Sequence, residues 1–178
     1  MKRHLATVIG SLALATCVMP GVAVARQTPT GSPSVSAAGA EPEVRAGNLR
    51  LERRIVANPG EAGQDAAAYL RVVNGGDDAD QLIGVRCVCA DRVELHRIDR
   101  SGPRPDMVTD PEWIVPGSGM LDVRPGDALH LMLMNFDPAK ADNGRVRLEL
   151  EFRRAGRVTA DFGLTPDSRA GWRAFDAK

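Results

Sequence analysis

The chain has 178 residues, and its 23 basic residues are balanced by 23 acidic ones. Such neutrality gives no reason to expect nucleic acid or an anionic membrane surface as a partner, and the length suits one hydrophobic core.

The first segment reads as an address. MKRH supplies positive charge, LATVIGSLALATCVM is an apolar run short for a bilayer span, and Ala23-Val24-Ala25 offers a small-residue cleavage site. A signal peptide over residues 1–25 is expected, hence an exported, periplasmic protein with no membrane insertion once the signal is removed. Its loss takes Lys2 and Arg3 and leaves 21 basic against 23 acidic residues. A second reading makes Leu14-Ala15-Thr16-Cys17 a lipoprotein processing site with a lipidated Cys17, and Thr16 is a poor residue before such a cysteine. Residues 26–44 are rich in Ser, Thr, Pro, Gly and Ala and read as a flexible leader.

Residues 45–164 form the expected domain, and their pattern has period two. GRVRLELEFRR alternates Val146, Leu148, Leu150 and Phe152 with charged residues, as a half-buried antiparallel strand does. Weaker alternation marks NLRLERRIV, AAYLRVVN, QLIGV, RVELH, EWIV, GMLDV, ALHLMLMN and RVTADFG, separated by turn signals such as Asn74-Gly75-Gly76 and Asn143-Gly144. Eight or nine short strands without helical periodicity predict an all-β sandwich or barrel of one domain. Residues 165–178 form a tail whose Trp172 and Phe175 have two open fates, docking back on the domain or meeting a partner.

Scarce residues carry the chemistry. Without the signal, histidine occurs only at 96 and 130, and methionine only at 107, 120, 132 and 134. In RVELH, Glu94 and His96 face away from Val93 and Leu95; in ALHLMLMNF, His130, Met132 and Met134 share the face opposite Leu131 and Leu133. Thioether sulfur is soft and uncharged, and suits Cu(I) better than Zn, Mg or Ca. A His and Met site would hold Cu(I) without neutralising it. Against this stand the common uses of Met as core filler and of a strand His as a hydrogen-bonded structural residue. Met134 lies about 13 Å along the strand from His130, so it reads as packing.

The spacing His96, ten residues, Met107, twenty-two residues, His130-Leu131-Met132 stands in the frame AAYLRVVNGGDDADQLIGV, ADRVELH and VRPGDALHLMLMNF. In that order it resembles the periplasmic copper(I) chaperone family PCuAC, from about Ala66 to about Leu164. The resemblance implies a cupredoxin-like, Greek-key antiparallel β-sandwich binding one Cu(I) per chain through His96, Met107, His130 and Met132. It further implies a monomer that delivers copper to an acceptor protein, typically the binuclear copper centre of cytochrome c oxidase or its assembly factor. Departures from the family pattern are the lack of further methionines after His96, which leaves Met107 alone in a Pro-rich loop, and the absence of a His- or Met-rich tail.

Cys87 and Cys89 are the other departure. Two buried thiols are expected ahead of a disulfide, which a strand would strain, and ahead of copper ligation. Asp91 and Glu94 read as solvated residues, with one of them able to orient the His96 imidazole. Two rival functions remain. A blue-copper electron carrier needs a cysteine thiolate beside its histidines, and none accompanies the His130 segment; an exported, metal-free binding module would leave the His and Met incidental. No nucleophile motif adjoins either histidine, so no enzyme is expected.

Overall fold

The alternation of GRVRLELEFRR becomes a strand, Arg145–Phe152, with Val146, Leu148, Leu150 and Phe152 turned inward. The computed structural model describes residues 42–58 and 60–177, all within one compact unit. The signal segment with Cys17 and residues 26–41 of the leader lie outside the described residues, and the leader's last residue, Val44, opens the first strand. Eleven strands are present among them: β1 (Val44–Ala46), β2 (Leu49–Ala57), β3 (Gln64–Asn74), β4 (Asp80–Cys87), β5 (Arg92–Asp99), β6 (Asp106–Thr109), β7 (Trp113–Val115), β8 (Met120–Val123), β9 (Leu129–Phe136), β10 (Arg145–Phe152) and β11 (Gly156–Thr165). A short helix, α1 (Ser168–Arg173), follows.

The strands pair in the order β6-β5-β9-β3-β2-β11-β10-β4-β7, with β1 on β2 and β8 on β3. Strands distant in sequence lie side by side, β5 with β9 and β10 with β4, as Greek-key connections require. The sheet curls until β4 touches β5 and β7 touches β8 and β3. Two layers thus enclose a core that includes Leu70, Val72, Leu82, Leu131, Leu133, Leu148, Leu150, Phe136 and Phe162. The expected all-β, single-domain sandwich is the observed fold. Its pairing departs from pure antiparallel at one place, where Gly163, Leu164 and Thr165 of β11 run parallel to Ile55, Val56 and Ala57 of β2.

β2 shows why its alternation looked weak. Its pairing with β3 shifts between Glu52 and Ile55, and Arg53 takes φ 51°. This bulge moves the inward positions from Leu49 and Leu51 to Val56. It also serves the tail, which docks. Asp167 caps α1 by accepting from Ala170 N at 3.0 Å, Trp172 is buried, and the Arg53 guanidinium lies over Trp172 at 5.5 Å and Phe175 at 5.9 Å while pairing with Asp176.

Two expectations are corrected. Met107 is not in a loop: the Pro-rich stretch ends at Pro105, and Met107 lies on β6, paired with β5. Cys87 and Cys89 are not free thiols but a disulfide with Cα atoms 5.0 Å apart. The strand objection to a bridge lapses because β4 ends at Cys87 and the chain turns through Val88 and Cys89.

Candidate metal centre

β5 and β9 run antiparallel with His96 directly opposite His130, Glu94 opposite Met132 and Arg92 opposite Met134. On the other flank, β6 sets Thr109 opposite His96 and Met107 opposite Ile98. Residues opposite one another in an antiparallel pair share a face, and so do residues two apart on a strand. His96, His130, Met132, Met107, Glu94 and Met134 therefore all project from the face turned away from Leu95, Leu131 and Leu133. Within that set, Met107 and Met132 occupy the two diagonal positions beside His96, one across each neighbouring strand. Diagonal neighbours lie about 7 to 8 Å apart at the backbone, within reach of a side chain with three rotatable bonds.

The two imidazoles are 8% and 7% exposed and pack edge to face, with ring centroids 5.6 Å apart and planes at 78°. Two imidazoles binding one ion at about 2.0 Å would have centroids about 5 to 6 Å apart, so this separation allows a shared ion. His96 Nε2 lies 2.7 Å from Glu94 Oε2, and Glu94 also pairs with Arg92 at 2.5 Å. A carboxylate can only accept, so Nε2 carries the proton of this hydrogen bond, and Nδ1 is the ring nitrogen that offers a lone pair when the ring holds a single proton. That Nδ1 is buried and has no hydrogen-bond partner. An unmet buried acceptor costs about 1 to 3 kcal/mol, which a metal or other electrophile at Nδ1 would offset.

Electrostatics favour neutral donors. Burial, with His96 adding to it, holds the His130 imidazole below its usual pKa and so keeps its lone pair free. The Arg92 guanidinium, then the His96 hydrogen bond, hold the Glu94 carboxyl below the usual carboxylate range. Among the described residues, no three His, Cys, Asp or Glu side chains group as a metal site. Met107 and Met132 add thioether donors to the same face.

The four expected residues thus share one face of the sheet. Met107 is the most exposed of them, at 48%, on the edge strand β6. Met134 sits two residues beyond Met132, half-buried and outside the core cluster. Glu94 does more than meet solvent, since it fixes the proton on His96; the period-two pattern had already put it on that face. Asp91 accepts from Asn135 Nδ2 at 2.8 Å and takes no part. The disulfide lies away from the histidines: Cys89 O accepts from Asp137 N just past the far end of β9, about 23 Å along the strand from His130. Bonded to each other, the cysteines have no thiolate to offer a blue-copper site.

No curated protein matches the sequence. Solved structures do. The copper-bound PCuAC domain from PmoF2 aligns with a TM-score of 0.58 at 25% identity, covering 71% of this chain and 99% of that domain. The apo PmoF2 PCuAC domain aligns with a TM-score of 0.56 at 26% identity, over 71% and 97% of the two chains. The solution structure of CuI-DR1885 from Deinococcus radiodurans shares the fold, with a TM-score of 0.50 at 23% identity over 76% of this chain and 87% of that one. The fold is thus that of PCuAC domains, although the family model that matches bears another name, "Putative lipoprotein LpqE-like", and spans residues 23–163. With most of its length inside that match, the chain belongs to the LpqE-like family.

Proposed function

We propose that the face shared by β5, β6 and β9 binds one Cu(I) through His96, Met107, His130 and Met132, and that the protein is an exported copper carrier. The observation that carries this is the pair of buried, facing imidazoles whose His96 Nδ1 has no partner, flanked diagonally by two thioethers. Similarity to a copper-bound PCuAC domain supports the same reading. Neutral nitrogen and thioether donors suit a soft monovalent ion and leave its charge in place. Such an ion is released by ligand exchange, so the protein hands copper on and does not transform a substrate.

Glu94 acts through His96: it holds the Nε2 proton, which leaves Nδ1 as the donor and sets the ring's rotation. Met107, on an exposed edge strand, is the first ligand an incoming acceptor would replace. That acceptor presents its own His, Met or Cys, and the binuclear copper centre of cytochrome c oxidase is the expected example. The family's description favours lipidation at Cys17 over cleavage after Ala25; mass spectrometry of the cell-derived N-terminus separates the two.

X-ray absorption of the Cu(I)-loaded protein tests the ligand set. Two nitrogen and two sulfur scatterers, with one sulfur lost in Met132→Leu, are expected. Nitrogen and oxygen scatterers alone would refute it. The edge-to-face ring geometry favours one other reading, in which the histidines simply pack as an aromatic pair; under it, the loaded protein would show no imidazole scattering.

A further inference from the structure

At the other end of the sheet the Cys87–Cys89 bond has no part in holding copper, and its surroundings do not fit a structural staple. It closes a loop of only three residues, the case in which a cross-link removes least freedom from the unfolded chain. Both ends are anchored without it. Cys87 pairs with Leu148 across β4 and β10, and Cys89 is 1% exposed in the core with its carbonyl accepting from Asp137 N at 2.8 Å.

The two sulfurs differ in access. Cys87 is half-buried, next to Val88, which is 87% exposed, and it opens on a cavity of about 470 Å³ lined by Arg86, Cys87, Val88, Arg147, Glu149 and Thr159. The two guanidinium groups at the cavity's edge are paired with Glu151 and Asp161, and the Cys89 N–H donates to Cys87 Sγ at 3.0 Å. The amide donor aimed at its sulfur stabilises a thiolate at Cys87. Accessible bonds in such surroundings are the exchangeable ones.

We propose that Cys87–Cys89 is a thiol–disulfide exchange site whose substrate is a polypeptide carrying two nearby cysteines. A thiolate of the substrate attacks Cys87 Sγ and forms a mixed disulfide. The Cys87–Cys89 bond breaks, and Cys89 leaves with the electron pair and takes up a proton. The substrate's second thiolate then attacks its own sulfur in the mixed disulfide, and Cys87 departs as a thiolate held by the Cys89 N–H, then is protonated. Two electrons and two protons pass from the substrate dithiol to the cysteine pair, and the substrate leaves as a disulfide. The reverse sequence reduces a substrate disulfide, and the relative reduction potentials set the direction. This inference does not rest on the copper reading.

The test equilibrates the full mature chain in anaerobic glutathione buffers of graded ratio, and separately with a synthetic peptide holding two cysteines, reading redox state by alkylation and mass spectrometry. The cysteine pair is expected to open within the range that leaves a long-loop structural disulfide closed, with the peptide recovered as its disulfide. In Cys89→Ser, Cys87 should form the mixed disulfide with oxidised peptide at least about tenfold faster than Cys89 does in Cys87→Ser. A wild-type bond that stays closed across the series would overturn the proposal without any variant, as would equal reactivity of the two cysteines.

Discussion

Two sets of buried polar side chains sit at different corners of this sheet and have opposite hydrogen-bonding states. At the start of β4, Asp80 is almost wholly buried, and its carboxylate accepts from Gln81 N at 2.7 Å, Arg154 N at 2.9 Å and Ala155 N at 2.9 Å. At the β5–β9 row, His96 and His130 are buried to a similar degree, yet His96 Nδ1 accepts from nothing. The first set ties two chain segments together and is spent on doing so. The second retains a donor atom for something the fold does not supply. Buried polarity alone therefore does not mark a site; what distinguishes this row is an unpaired ring nitrogen on a histidine that faces a second imidazole.

The comparison breaks first at its extremes. His130→Ala should weaken Cu(I) binding by more than about 100-fold, beyond what loss of an outer hydrogen-bond partner costs, as read by competition with a chromophoric chelator. Asp80→Ala should do the reverse, costing about 2 to 4 kcal/mol in chemical denaturation because three N–H groups lose their acceptor, while the folded fraction binds copper as before. If Asp80→Ala lost copper and His130→Ala did not, the assignment of roles would be inverted.

Smaller effects sharpen it. Glu94→Gln keeps an oxygen that can accept from His96 but loses the charge, and an affinity loss of about tenfold is expected. Met107→Leu should weaken binding less than Met132→Leu, since Met107 is the more exposed, and a titration of both variants orders them. The smallest effect is on apo stability against pH. Burial lowers the His130 pKa in the folded protein below its ordinary value of 6.5, so the unfolded chain binds that proton more readily. Stability is then full above 6.5 and declines as pH falls toward the folded value, and His130→Phe should flatten the decline in denaturation midpoints measured across that window.

Much of this was legible in the sequence because a strand's period of two is a local property. It put Val146, Leu148, Leu150 and Phe152 inside, and set His130, Met132 and Glu94 with His96 on outward faces. What it could not supply is register, which joins residues far apart in the chain: nothing near His96 says that His130 lies directly opposite. β6 was missed because four residues beside Pro103 and Pro105 leave too short a run for alternation to register, and so Met107 read as a loop residue. The bulge at Arg53 hid the inward face of β2 by shifting it midway. The disulfide was disfavoured because Cys-x-Cys was read as strand; β4 ends at its first cysteine. The unpaired Nδ1 of His96 emerged only with the Glu94 contact, a matter of side-chain geometry.

One measurement bears most directly on the central claim: an anaerobic Cu(I) titration of the mature protein against a chromophoric chelator, run beside a His130→Ala/Met132→Ala double variant of matched far-ultraviolet circular dichroism. The account predicts one tightly held Cu(I) for the wild type and none for the double variant. Equal copper uptake by the two proteins would contradict it and leave the His96–His130 row as a packed aromatic pair.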